Sequence, residues 1–232
     1  MASAVRKTNW FAIWVSIAAV VVLVAVTGVV IAINNAATRQ ATDPGAAPQG
    51  AIIDASNGAV LFGDKSAKNT IDTYVDFLCP YCNQFEQSEG PTIKKLVDSG
   101  EVALRVHPVT ILDNNTSPAG YSSRAASAFY AVAAADPDNA YAFMQAMYQN
   151  QPAEQSAGLT SAQIVDVAKN AGVKMTSALE KAITSDTYQK FAQAHGLPAD
   201  AQGTPTLVIN GTTVPVSSDY NPQTDIVAHL KK

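Results

Sequence analysis

The chain has 232 residues, 15 Lys and Arg against 19 Asp and Glu, a net charge of −4, and only two cysteines. Without the first 50 residues, twelve basic and eighteen acidic side chains leave −6, a balance that argues against nucleic acid or an anionic lipid surface as partner. Two cysteines and three isolated histidines, His107, His195 and His229, do not make a four-ligand zinc set, so no metal is expected.

Residues 1–9 carry Arg6 and Lys7, and residues 10–33 form an uncharged apolar run of 24. As a helix that run is about 36 Å long against a hydrocarbon core of about 30 Å, so it is read as a transmembrane anchor. A cleaved signal peptide would have a shorter apolar region and a small-residue cleavage site, and no Ala-x-Ala follows between residues 28 and 50. The basic residues before the span place the N-terminus in the cytoplasm and the remaining chain outside, where thiols can be oxidised. Residues 34–50 hold no large apolar side chain and read as a flexible tether with a span of about 20–25 Å. Residues 51–232 suffice for one domain with its own core.

Within that domain, residues 70–78 (TIDTYVDFL) have the β-branched and aromatic content of a buried strand. A helical pattern through Phe85, Ile93 and Leu96 follows, interrupted at Pro91, and a second strand is expected over 102–112. Turn formers fill 113–120. Four helical segments then run from about 122 to 196, with Ser or Thr starts and Pro or Gly punctuation. Strand character returns at 204–216, where Asn210-Gly211 between apolar runs signals a hairpin, and a last helix is expected over 222–231.

Both cysteines lie in the segment 74–85, YVDFLCPYCNQF, at the strand-to-helix junction. A bridge closing four residues would stabilise the chain by only about 2 kcal/mol, a poor reason to keep it. Redox chemistry gives a better one. Pro80 suits the first helical position, which puts Cys79 just ahead of unpaired N–H groups and the positive end of the helix dipole, favouring its thiolate. Cys82, one turn further in, is more enclosed and suited to resolving a mixed disulfide.

DFLCPYC after a strand, a helical stretch downstream and GTPTLVINGT near the end resemble the thioredoxin-fold, DsbA-like thiol:disulfide oxidoreductases, including membrane-anchored bacterial members, over about 55–232. The resemblance implies an α/β thioredoxin-like fold with a helical subdomain inserted at about 118–198, preceded here by one transmembrane helix. It implies Cys79 as nucleophile, Cys82 as resolving residue, and a cis Pro205 facing the disulfide with Thr204 before it. With Pro80 and Tyr81, Thr204 and Pro205 form the expected substrate-binding set. The implied partners are exported cysteine-containing proteins and a reoxidising quinone-linked membrane protein of the DsbB or vitamin K epoxide reductase-like kind. No cofactor is expected in the chain itself, which is expected to act as a monomer.

The reading is a membrane-tethered disulfide oxidase. A disulfide isomerase or reductase of the same fold stays open, because Pro-Tyr between the cysteines and Thr before the proline also occur in isomerase-like relatives. So does a tethered peptide-binding chaperone using the helical insertion, although Tyr141, Met144, Met147 and Tyr148 on one helical face read first as core packing. Asp76, three residues before Cys79, reads as a solvated acid at a strand end, and the three histidines read as structural.

Overall fold

Two short strands absent from the sequence reading open the domain. β1 (Ile53–Asp54) and β2 (Ala59–Phe62) pair antiparallel around Gly58, whose φ of +73° a side chain would resist. Elements of two and four residues are too short to show a period, which is why they escape notice. The computed structural model describes residues 45–50 and 52–232. The expected cytoplasmic stretch 1–9, the anchor 10–33 and most of the tether lie outside the described residues. Among the described residues no helix is long and apolar enough to cross a membrane. Residues 45–50, expected as the tether's end, lie against the domain: Pro48 is buried, and Gly50 approaches the backbone of Ala133 and Ala134 so closely that a β-carbon there would sit 3.0 Å from Ala134 Cα.

β3 (Asn69–Val75) leads through a short loop into α1 (Pro80–Ser88), and α2 (Gly90–Asp98) returns the chain to β4 (Val102–Pro108). The two helices meet at Glu89, one residue before the glycine that precedes Pro91, so the expected interruption is present. β3 and β4 are parallel, with Ile71 opposite Leu104. The sheet order is β1-β2-β4-β3-β5-β6, completed by the antiparallel hairpin β5 (Thr206–Ile209) and β6 (Thr212–Val214). Asn210 and Gly211 both have positive φ, the primed turn that Asn-Gly favours.

One sheet face carries Val60, Ile71, Val75, Leu104, Val106, Leu207 and Ile209, all buried. On the opposite face Asp72 accepts from Arg105 at 2.6 Å and pairs with His107 Nε2 at 2.9 Å, while Tyr74 stacks on the His107 ring at 4.2 Å. His195 bonds Phe191 O through Nδ1 at 2.8 Å. Both histidines have structural partners, as read.

The helical insertion between β4 and β5 comprises α3 (Tyr121–Ala135), α4 (Pro137–Gln149), α5 (Ser161–Asn170), α6 (Ser177–Thr184) and α7 (Gln189–Ala194). α3 is buried almost all round because Ala and Ser on most turns let its neighbours approach, while Phe129 and Tyr130 fill the larger gaps. Thr160 and Gln163 form a reciprocal capping box at the start of α5, and Thr176 caps α6 through Leu179 N at 3.2 Å. The last of the four expected helical segments, the one ending near 196, is split, because Asp186 takes a left-handed φ of +46° just past the end of α6. Met144, Met147 and Tyr148 are buried in the core. The last helix is shorter than expected: α8 (Pro222–Asp225) gives way to a 3₁₀ turn at Val227–His229, while the Asp225 carboxylate turns back to accept from Ser217 N and Oγ at 2.9 and 2.6 Å.

Gly158, in the loop after α4, has φ +69°, and a β-carbon there would lie 2.8 Å from three atoms of the buried Tyr121 side chain. Gly158→Ala should destabilise the domain by about 2 kcal/mol or more, through strain and displacement of Tyr121, as read from urea unfolding.

Candidate active site

β3 ends where its neighbours deliver the other site residues. Because β5 runs antiparallel to β3 with Thr206 opposite Tyr74, the residues just before β5 arrive beside the loop that follows β3. That loop, 76–79, is tied by a bond from Cys79 N to Asp76 O at 3.0 Å, and it aims Cys79 at the start of α1. Cys79 is the N-cap residue, extended at φ −69° and ψ 116°, with Pro80 in the first turn.

The two thiols differ strongly. A hydrogen bond from Cys82, assisted by Thr204 and by the backbone N–H groups of Cys82 and Tyr81, outweighs burial and brings Cys79 down to about 6. Cys82 is fully buried, and burial together with the neighbouring Cys79 pushes it well above its ordinary value. One sulfur is thus built to carry charge near neutral pH and the other to hold a proton. The thiol of Cys79 donates to Thr204 O at 3.3 Å, and the Thr204-Pro205 bond is cis. Tyr81 is 63% exposed and Pro80 is exposed, so both cover the outer side of the dithiol. All six residues expected at the site therefore converge. Cys79 itself is only 4% exposed, because Thr204 packs on it. A groove of about 370 Å³ bordered by Thr204 and Pro205 continues between β5 and the end of β6.

Three further residues bear on the dithiol. Asp76 corrects the sequence reading: it is fully buried, and its carboxylate accepts from Leu78 N at 2.9 Å and Leu112 N at 3.0 Å. Burial raises it to about 6 despite those donors, and its own backbone N–H faces the Cys82 sulfur. Its position just past a buried strand was the available signal. Gln151, two residues past the end of α4, donates to both Phe77 O and Cys79 O at 3.0 Å, and accepts from Asn83 at 3.2 Å. No spacing rule in the sequence points to it. Tyr220, at φ +49°, lies close enough to Cys79, Cys82 and Tyr81 to feel their charge.

With this geometry in hand, the family profile described as Thioredoxin matches residues 55–228. The chain belongs to the thioredoxin family. Its relatives of solved structure include DsbA-type thiol-disulfide oxidoreductases: reduced DsbA of Mycobacterium tuberculosis is 33% identical and superposes with a TM-score of 0.62, covering 69% of this chain and 86% of that one. Disulfide bond formation protein D of Bacillus subtilis is 26% identical over 168 residues, 71% of this chain and 73% of that protein. The serine/threonine-protein kinase PknE of M. tuberculosis is 32% identical over 125 residues, 52% of this chain. This chain spans only 22% of that kinase's length, so the likeness concerns one segment of it.

Asp76→Asn and Gln151→Ala test this construction. A buried acid raised above its unfolded value binds a proton more tightly in the native state, so it makes stability fall as pH rises from about 4 through about 6. The reduced Asp76→Asn protein should show a shallower loss of stability across that window than wild type, by up to about one proton's worth of slope, in urea titrations at each pH. Gln151→Ala bares two carbonyls and should cost about 1–2 kcal/mol, with faster hydrogen exchange at the Cys79 and Asn83 amides.

Proposed function

We propose that this protein is a membrane-tethered, extracytoplasmic thiol:disulfide oxidase that introduces disulfides into exported proteins. The single observation that carries the redox direction is the unequal placing of the two sulfurs, Cys79 at the N-cap of α1 beside Thr204 and Cys82 sealed in the core, which brings the first thiol down and pushes the second up. Stabilising one thiolate lowers the free energy of the dithiol relative to the disulfide, which makes the disulfide a better oxidant. The uncharged span 10–33 and the basic residues before it support the tether and its orientation.

In the proposed cycle a substrate thiolate attacks the Cys79 sulfur of the oxidised pair. A substrate–Cys79 bond forms, the Cys79–Cys82 bond breaks, and Cys82 leaves and takes up a proton, as its high affinity for one favours. A second substrate thiolate then attacks the substrate sulfur of the mixed disulfide. The substrate disulfide forms, Cys79 leaves as thiolate, and two electrons remain on the pair. Substrate backbone is held against Thr204 and the groove beyond it, with Pro80 and Tyr81 as the outer contacts. Reoxidation by a quinone-linked membrane partner returns the pair to its disulfide.

Two measurements test the reading. Limiting iodoacetamide should label Cys79 of the reduced protein far faster than Cys82, with a rate midpoint near pH 6, and equal labelling would reject the assignment of roles. Equilibration with glutathione buffers should give a potential on the oxidising side of about −200 mV. A value near −270 mV, the range of thioredoxin, would instead mark a reductase.

A further inference from the structure

Glu86 lies on α1 one turn beyond Cys82, with its carboxyl almost wholly inside the protein and its Oε2 without a hydrogen-bond partner. It forms the floor, with the buried Tyr148, of a cavity of about 200 Å³ between α1 and α4. Asn83, Gln87, Gln145 and Gln149 make the walls, and Gln87 and Gln149 are exposed at the rim. None of the ion pairs among the described residues includes Glu86. Leaving one carboxyl oxygen, Oε2, out of water with no donor is destabilising, and a ligand that brings a donor removes that cost.

The walls favour a particular ligand. Asn83 commits both amide hydrogens, to Tyr148 O at 3.1 Å and Gln151 Oε1 at 3.2 Å, and Gln87 Nε2 donates to Asn83 Oδ1 at 2.8 Å. The glutamine amides can donate or accept, and Glu86 is the one acidic or basic side chain in the lining, an acceptor that suits a cationic donor. The acidic balance of residues 51–232 favours a positive group as well.

We propose that this cavity is a substrate subsite for the ammonium or guanidinium group of a lysine or arginine in the polypeptide joined to Cys79. The inference rests on the oxidoreductase reading and adds a sequence preference to it. Cys79 and Glu86 are seven residues apart along the helix direction, about 10 Å, which an extended peptide covers in about three residues. The favoured basic residue therefore stands about three positions from the substrate cysteine.

The test uses the oxidised protein and reduced peptides carrying Lys, Arg, Gln or Glu three residues to either side of the cysteine, with the second-order rate of reaction as readout. On one side, wild type should react with the Lys or Arg peptide about tenfold faster than with the Gln peptide, the worth of a charge-assisted hydrogen bond, and slowest with the Glu peptide. Glu86→Gln should bring the Lys-to-Gln ratio close to one. Gln145→Lys, which places a cation in the cavity from within, should do the same, and it keeps the test available where Glu86→Gln folds poorly. A ratio near one in wild type, or one that survives in both variants, overturns the subsite while leaving the oxidoreductase reading intact. Failure of every peptide, neutral ones included, to react would overturn that reading and the subsite with it.

Discussion

The constraint on which the rest depends is the unequal treatment of two sulfurs three residues apart. Cys79 sits at the mouth of a helix, where N–H groups, Cys82 and Thr204 converge on it, while Cys82 is sealed into the core. Neither condition is local to the CPYC segment. The first needs a strand that ends at Asp76, a proline that starts a helix at once, and a second strand whose leading residues reach back across the sheet to the same point. The second needs a wall of aromatic side chains from the insertion, with Phe77 packed against both Phe129 and Tyr148. A thioredoxin-family sheet supplies the first condition and the helical insertion the second.

The parts of this arrangement that depend on short-range chemistry were legible in the sequence. Proline at a helix start, Asn-Gly between apolar runs, Thr caps and the interruption at Pro91 each express a rule that acts over three or four residues, and each is found where those residues stand. What was not legible depends on partners far along the chain. Asp76 reads as a strand-end acid, and only the return of the chain at Leu112 encloses it. Gln151 lies 72 residues from the carbonyl of Cys79 that it caps, and a lone glutamine after a helix carries no mark of that. Glu86 has the ordinary look of a helix-surface glutamate until α4 covers it. The strands β1 and β2 were invisible for a different reason, being shorter than the period that would reveal them.

Three buried acids, Asp76, Glu86 and Glu89, lie along or beside the redox helix, and each is raised chiefly by burial, Asp76 to about 6 and the other two to about 7. With the Cys79 thiol near 6, several protons around α1 are loosely held in the neutral range. Cys79 exchanges its proton in that same range, whereas Cys82 holds its own well above it, so the acids around the helix titrate alongside the reactive sulfur alone.

Gln151 places the boundary between the two halves of the domain in an unusual spot. The amide that covers the carbonyls of Phe77 and Cys79 belongs to the inserted helices, and Asn83 of the redox helix holds that amide from the other side. The insertion is therefore not an ornament hung on a self-sufficient thioredoxin core. A descendant that lost residues 118–198 would have to find two new hydrogen-bond donors for its redox loop before it regained an ordered start to the helix, and any exchange of insertions between relatives has to carry that donor along.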